Sequence, residues 1–230
     1  MVAEACEGLE GTDSALIIEE ANKNLYDGVT EDDARTSLVM TARTLVEQEP
    51  NYTYVTARIL LDNIRTEALS YLGMQKQATQ SEMKDLYHKA FRNFLGKGVE
   101  NEILNPELLE MDIERLGKAI NPERDNLFTY LGLQTLYDRY FIHDSETRYE
   151  LPQVFFMRVS MGLALREEQR EERAIEFYNL LSSFDYMSST PTLFNSGTKH
   201  SQLSSCYLTT VPDDLHGIYG AIQDLSLIHI

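Results

Sequence analysis

Positive charge is scarce in this chain: 20 lysines and arginines stand against 37 aspartates and glutamates, for a formal net charge of -17 and a pI near 4.6. Affinity for a phosphate backbone rests on clustered Lys and Arg, so this balance argues against a nucleic-acid binder. Cysteine is scarcer still. Cys6 and Cys206 are the two thiols, far apart in sequence, which leaves neither a disulfide framework nor a CxxC-type metal site. A sulfur reaction that needs two thiols has to find its second one elsewhere. Apolar runs of about 18 residues are absent, so no membrane span is expected. The opening MVAEACEGLE lacks the basic and apolar regions of a signal peptide, which makes a cytoplasmic location the expectation. The His and Glu spacing suggests no metal site, and there is no internal repeat or low-complexity segment.

What is present is a helical pattern. In 230 residues, 43% apolar content is enough to bury a core. Leu16, Ile17, Ala21 and Leu25 space as one helix face, stopped at Tyr26-Asp27-Gly28. Thr30 reads as the N-cap of the next helix, with Asp33 three residues on resembling a capping box and Glu31-Asp32-Asp33 set against the helix dipole. Its apolar face runs through Ala34, Leu38, Ala42, Leu45 and Val46 to a stop at Pro50. Another helix is expected from about Tyr52 to Leu72, closed by Gly73, and more follow at about 80–96, 106–119, 125–138, 151–167 and 170–184. Pro106 and Pro152 suit first-turn positions, where a missing N–H costs nothing. The alternation of Arg139 to Glu150 reads as a small hairpin. His88 and His143 are lone histidines, and the charged run Glu167 to Arg173 reads as a solvated linker.

The character changes after Tyr186. Ser188 to Thr192 and Asn195 to Thr198 are turn-rich, and Leu203 to Val211 has the β-branched composition of a strand, so a β-containing unit is expected to begin here. On composition alone, Ser189-Thr-Pro-Thr-Leu-Phe-Asn-Ser-Gly197 followed by Leu203-Ser-Ser-Cys-Tyr-Leu208 is a hydroxyl-rich loop leading into an edge strand with a buried cysteine. Its hydroxyls either cradle a phosphate or hydrogen-bond their own turns. Downstream, Val211-Pro-Asp-Asp-Leu215 leads into a helix that Asp213 or Asp214 could cap.

The combination TPT, NSGT and LSSC resembles the signature of ribonucleotide reductase large subunits. The resemblance extends to Tyr52-Thr-Tyr54, Thr56-Ala-Arg58-Ile-Leu60, Phe128-Thr-Tyr130, Glu150-Leu-Pro-Gln153 and Ile175-Glu-Phe-Tyr-Asn179, in the family's order and approximate spacing. It implies a mainly α chain: partial ATP-cone helices over 1–72, the N-terminal helical domain of the reductase over 73–186, and over 187–224 the first strands of a ten-stranded α/β barrel. It also implies that Cys206 is one thiol of the redox pair and that Thr192 and Ser205 contact substrate diphosphate or ribose. Asp213, seven residues after Cys206, and Leu215 match the allosteric specificity site that holds a deoxynucleoside triphosphate at the dimer interface. Thr30 matches a threonine at the ATP-cone nucleotide site. The cone's opening hairpin is missing, and Asn63 and Thr66 replace a His and a Lys, so poor ATP or dATP binding is expected.

The activity implied is thiyl-radical reduction of ribonucleoside diphosphates, absent from a chain this short. The implied partners are a second copy, a radical-generating small subunit that carries the metal cofactor, and thioredoxin or glutaredoxin as reductant. A cobalamin-dependent reductase shares the SSC region and remains an alternative, as does a non-catalytic helical regulatory module. The last six residues, 225–230, can be encoded by a transposon-end adapter used in library preparation. They are expected to be an artefact, and His229 to carry no functional information.

Overall fold

Two helices that bury most of their residues organise the chain, because apolar side chains spread over more than one face have to be covered from several directions. The computed structural model describes residues 1–229. In it α1 (Val2–Cys6), α2 (Ser14–Asn22) and α3 (Glu31–Thr44) lead to the first central helix, α4 (Tyr52–Tyr71). α4 buries Val55, Ile59, Leu60, Leu61, Ile64, Ala68 and Leu69. It is followed by α5 (Gln80–Glu100), α6 (Ile113–Ala119) and α7 (Tyr130–Arg139). The hairpin of β1 (His143–Asp144) and β2 (Thr147–Arg148) then leads to the second central helix, α8 (Pro152–Ala164), in which every residue from Pro152 to Met161 is buried. α9 (Arg170–Ser182), α10 (Thr190–Asn195) and α11 (Leu215–His229) complete the order. α4 packs against α1, α3 and α7, and α8 against α9 and α10, so one apolar core continues across residues 72 and 73.

Local chemistry sets the boundaries. Thr30 Oγ1 accepts from the Asp33 N–H at 3.1 Å and donates to Asp33 Oδ2 at 2.8 Å, so the expected capping pair forms, hydroxyl to carboxylate. Thr79 and Glu82 make a full capping box at α5. Gly73 ends α4 at φ +70°. The hairpin turns at Ser145, φ 55°, and is latched to α4: Glu67 accepts from the Arg148 N–H at 2.6 Å and from the Tyr137 hydroxyl at 2.7 Å.

Several expectations are corrected. The single helix expected over 106–119 is a 3-10 turn, Pro106–Glu110, and then α6, because the Asp112 side chain accepts from the Arg115 N–H and starts a new helix. The stretch 125–138 divides likewise into Pro122–Leu127 and α7, capped by Thr129. The charged run after Glu167 passes into α9 at Arg170. The turn-rich segment 190–195 is a helix, with Pro191 in its first turn. Residues 203–211 form no strand, and no barrel strand is present among the described residues. A strand persists only beside a neighbour that takes its hydrogen bonds, and none lies next to this segment. α11 runs into the suspected adapter residues as far as His229, and Ile230 lies outside the described residues. No described helix is long and apolar enough to cross a membrane.

Candidate functional site

The hydroxyl-rich segment divides into an anchored half and a presented half. In the anchored half, the Ser196 hydroxyl donates to the Val159 carbonyl of α8 at 2.7 Å. Gly197 adopts φ +79°, and a Cβ there would stand 2.8 Å from the Arg158 carbonyl oxygen. From below, Gly162 makes room for the same turn. Asn105 donates its N–H to the Gly197 carbonyl, Lys199 its N–H to the Ile103 carbonyl, and Leu104 bridges Thr198, so the 103–105 segment grips the other side. Tyr140 stacks on Phe194 with ring centroids 4.5 Å apart, and its hydroxyl lies 3.1 Å from Thr190 Oγ1. Asn195, Ser196 and Thr198, with Gly197, fix α10 to the helical core.

The presented half is open. Thr192 is half-buried and donates to the Leu203 carbonyl at 3.4 Å, while Asn195 Nδ2 donates to the Gln202 carbonyl at 2.6 Å. Beyond these ties Ser204, Ser205, Cys206, Tyr207 and Leu208 are exposed. Cys206 is therefore not the buried cysteine that composition alone suggests; its Sγ lies 3.6 Å from Ser205 Oγ, and its thiol is free. Thr192, Ser205 and Cys206 thus belong to one continuous surface segment. An exposed thiol can exchange with a disulfide, or close to a disulfide with a second thiol and pass two electrons to an acceptor, but Cys6, half-buried at the end of α1, belongs to another region.

Asp213 lies on the approach to α11 and Leu215 is the helix's first residue, both exposed. The cap is made by Asp214, whose Oδ1 accepts from the Gly217 N–H at 2.9 Å, leaving the Asp213 carboxylate outside the helix ladder. α11 shows Leu215, Ile218, Tyr219 and Ile222 on its exposed surface, an apolar row at helical spacing.

Thr30 is engaged in capping α3. The neighbouring cleft of about 580 Å³, between α3, α4 and α7, is lined by Asp32, Arg35, Asn63, Thr66 and Glu67 among others. Its cation is already paired, with Asp62 and with Glu31 at 2.9 Å. The Thr66 hydroxyl donates to the Asp62 carbonyl. A triphosphate entering here would meet Asp32 and Glu67, and the cation among the described lining residues is already paired.

Sequence reasoning missed the two residues that hold the anchored half from within, Arg158 and Glu150, each 0% exposed. The signal was an arginine inside the otherwise uncharged run Val154 to Met161, since a buried charge requires a partner.

A family profile described as "Ribonucleotide reductase, all-alpha domain" matches residues 126–201, which includes the anchored half and stops short of Cys206. The chain is 45% identical over 229 residues to the ribonucleoside-diphosphate reductase subunit alpha of Chlamydia muridarum, covering 99% of this chain and 21% of that protein. The subunit alpha of Helicobacter pylori is 34% identical over 227 residues, covering 98% and 27%. The large subunit of Danio rerio is 33% identical over 233 residues, covering 99% and 28%. The chain spans about a fifth to a quarter of the length of these relatives. Similarity along nearly all of its residues, with the helical architecture and the match at α8 to Thr198, makes the chain a member of the ribonucleotide reductase large-subunit family.

Proposed function

We propose that this chain supplies the helical scaffold and the first substrate-facing segment of a ribonucleoside-diphosphate reductase. The observation that carries the reading is the contrast within 190–208: α10 and Ser196 to Thr198 are fastened to the core, while Ser205 and Cys206 are held out from it. Thr192 and Ser205 would seat the diphosphate or ribose, using hydroxyls that add no net charge to a strongly acidic chain. Cys206 would give one of two thiols. Two thiols closing to a disulfide release two electrons and two protons; the ribose C2′–O bond breaks, its oxygen leaves as water, and hydrogen takes its place. The second thiol and the thiyl radical that opens the reaction belong to residues outside these 230. A ten-stranded α/β barrel would supply the neighbours that 203–211 lacks.

The radical would come from a metal cofactor on a separate small subunit, and thioredoxin or glutaredoxin would restore the dithiol. Asp213 and Leu215 would hold a deoxynucleoside triphosphate effector where the apolar row of α11 meets a second copy. ATP and dATP would bind weakly at the cone, given the paired cation of its cleft. The setting would be the cytoplasm.

The test is turnover of a ribonucleoside diphosphate by the full-length large subunit with a dithiol reductant, once with the small subunit and once with adenosylcobalamin in its place. Turnover is expected with the small subunit alone, and Cys206→Ser should abolish it. A fully active Cys206→Ser enzyme would overturn the role given to Cys206.

A further inference from the structure

The carbonyl groups at the C-terminal end of α10 converge on one side chain. Arg158 Nη1 donates to the Ser196 carbonyl at 2.6 Å and Nη2 to the Leu193 carbonyl at 3.2 Å. The last carbonyls of a helix carry its negative pole and lack partners in the helix itself, so a guanidinium there caps it. The same guanidinium is held from behind by a two-point pair, Nε to Glu150 Oε1 at 2.7 Å and Nη2 to Glu150 Oε2 at 3.2 Å. Glu150 Oε2 also accepts from the Ile142 N–H at 2.9 Å, which ties the base of the hairpin into the network. A planar fork can satisfy a carboxylate and two carbonyls at once; a lysine ammonium, a point donor on a flexible stem, cannot reproduce that geometry.

The attachment then passes outward. α10 holds the next segment through Asn195, which donates to the Gln202 carbonyl, and through Thr192, which donates to that of Leu203. Cys206 follows three residues after Leu203, past the last hydrogen bond from α10.

We propose that Arg158, oriented by Glu150, is a positioning residue for reduction: it sets where α10 sits, and through Asn195 it sets where Ser205 and Cys206 stand before the substrate. The inference rests on the reading of Thr192, Ser205 and Cys206 given above. Neither Arg158 nor Glu150 touches the nucleotide.

The test uses two variants, because a buried substitution can simply unfold the chain: Arg158→Lys, and Asn195→Ala, which leaves the buried pair intact. Nitroxide labels on Cys206 and on an exposed position of α7, introduced as Leu131→Cys in a Cys6→Ser background, report where Cys206 stands relative to the core. One narrow distance distribution is expected in the wild type and a broadened one in both variants, with Asn195→Ala melting at the wild-type temperature. In the full-length reductase, kcat for ribonucleoside diphosphate reduction should fall about tenfold in each variant, as expected when reacting groups are displaced by a fraction of an ångström. A broad distribution in the wild type, or one unchanged in the variants, overturns the proposal. So does broadening with KM and kcat unaltered, which is what a purely structural role predicts. If the wild-type reductase reduces no ribonucleotide, the proposed function fails, and the label distances alone decide the clamp.

Discussion

Arg65 and Asp125 meet inside the core at 3.1 Å, with side chains 5% and 0% exposed. Asp125 also accepts from the Tyr87 hydroxyl at 2.7 Å and from Gln153 Nε2 at 2.9 Å. The Tyr178 hydroxyl donates to Gln153 Oε1 and accepts from the Asn121 N–H, each at 2.9 Å. One carboxylate thereby joins α4, α5, the 122–127 turn, α8 and α9. Burial outweighs its donors and pushes the Asp125 carboxyl above the usual carboxylate range.

Removing that carboxylate strands the Arg65 cation and orphans two further donors. Asp125→Ala should cost about 3–5 kcal/mol, a large share of the stability of a domain this size. Urea unfolding followed by circular dichroism checks it. The double variant Asp125→Ala, Arg65→Met should recover part of the loss, since no buried charge is then left unpaired. A single variant as stable as the wild type would show that the network contributes nothing.

Gly162 and Gly96 make a matched pair, both within helices. A Cβ on Gly162 would lie 2.1 Å from the Gly197 nitrogen and 2.4 Å from Ser196 Oγ, whereas one on Gly96 meets nothing within 4 Å. Gly162→Ala must therefore push the 196–198 turn off α8, at a cost of about 1–3 kcal/mol or more. Gly96→Ala should instead stabilise α5 by roughly 0.5–1 kcal/mol, through reduced backbone entropy of the unfolded chain. Thermal melts of the two variants should move in opposite directions.

These cases show what the sequence could and could not reveal. Thr30, Pro152 and Gly73 act over one turn of chain, so their caps and stops were readable from neighbouring residues. Gly162 and Arg158 act on residues more than thirty positions away, and nothing local marks either partner. The missing strand at 203–211 has the same origin: β-branched composition records suitability for a sheet, while the strand itself depends on a neighbour. Cys206, Thr192 and Ser205 were legible as a motif; that Thr192 sits in a helix, α10, which ties the Cys206 segment to the core was not, because Thr-Pro-Thr reads equally as a turn or as the first turn of a helix.

Alkali should unfold the chain through its buried phenols. Tyr87, Tyr149 and Tyr178 are 1%, 0% and 0% exposed, and burial raises the proton affinity of all three hydroxyls, that of Tyr87 most emphatically. The native state keeps these protons while the unfolded chain releases them near pH 10. Stability is therefore fully present below about pH 10 and is lost as pH climbs toward the folded values. Tyrosinate absorbance from the buried rings should appear together with the loss of helicity. Full ionisation of all 13 tyrosines with helicity intact would contradict the packing of these three.

The two cysteines should separate by reactivity. Thiolate is the nucleophile, so both access and proton affinity govern the rate of alkylation. Cys206 is exposed; Cys6 is half-buried at the end of α1, and burial pushes its thiol above the ordinary value. Iodoacetamide under native conditions should modify Cys206 first, with Cys6 following only as denaturant opens α1, and peptide mass spectrometry resolves the two. Mild oxidation should then give disulfide-linked dimers through Cys206, each S–S bond releasing two electrons and two protons to the oxidant, and Cys206→Ser should abolish them. Dimers that persist in Cys206→Ser would mean that Cys6 is the accessible thiol. In that case α1 would open far enough to present its thiol, against the packing that half-buries Cys6.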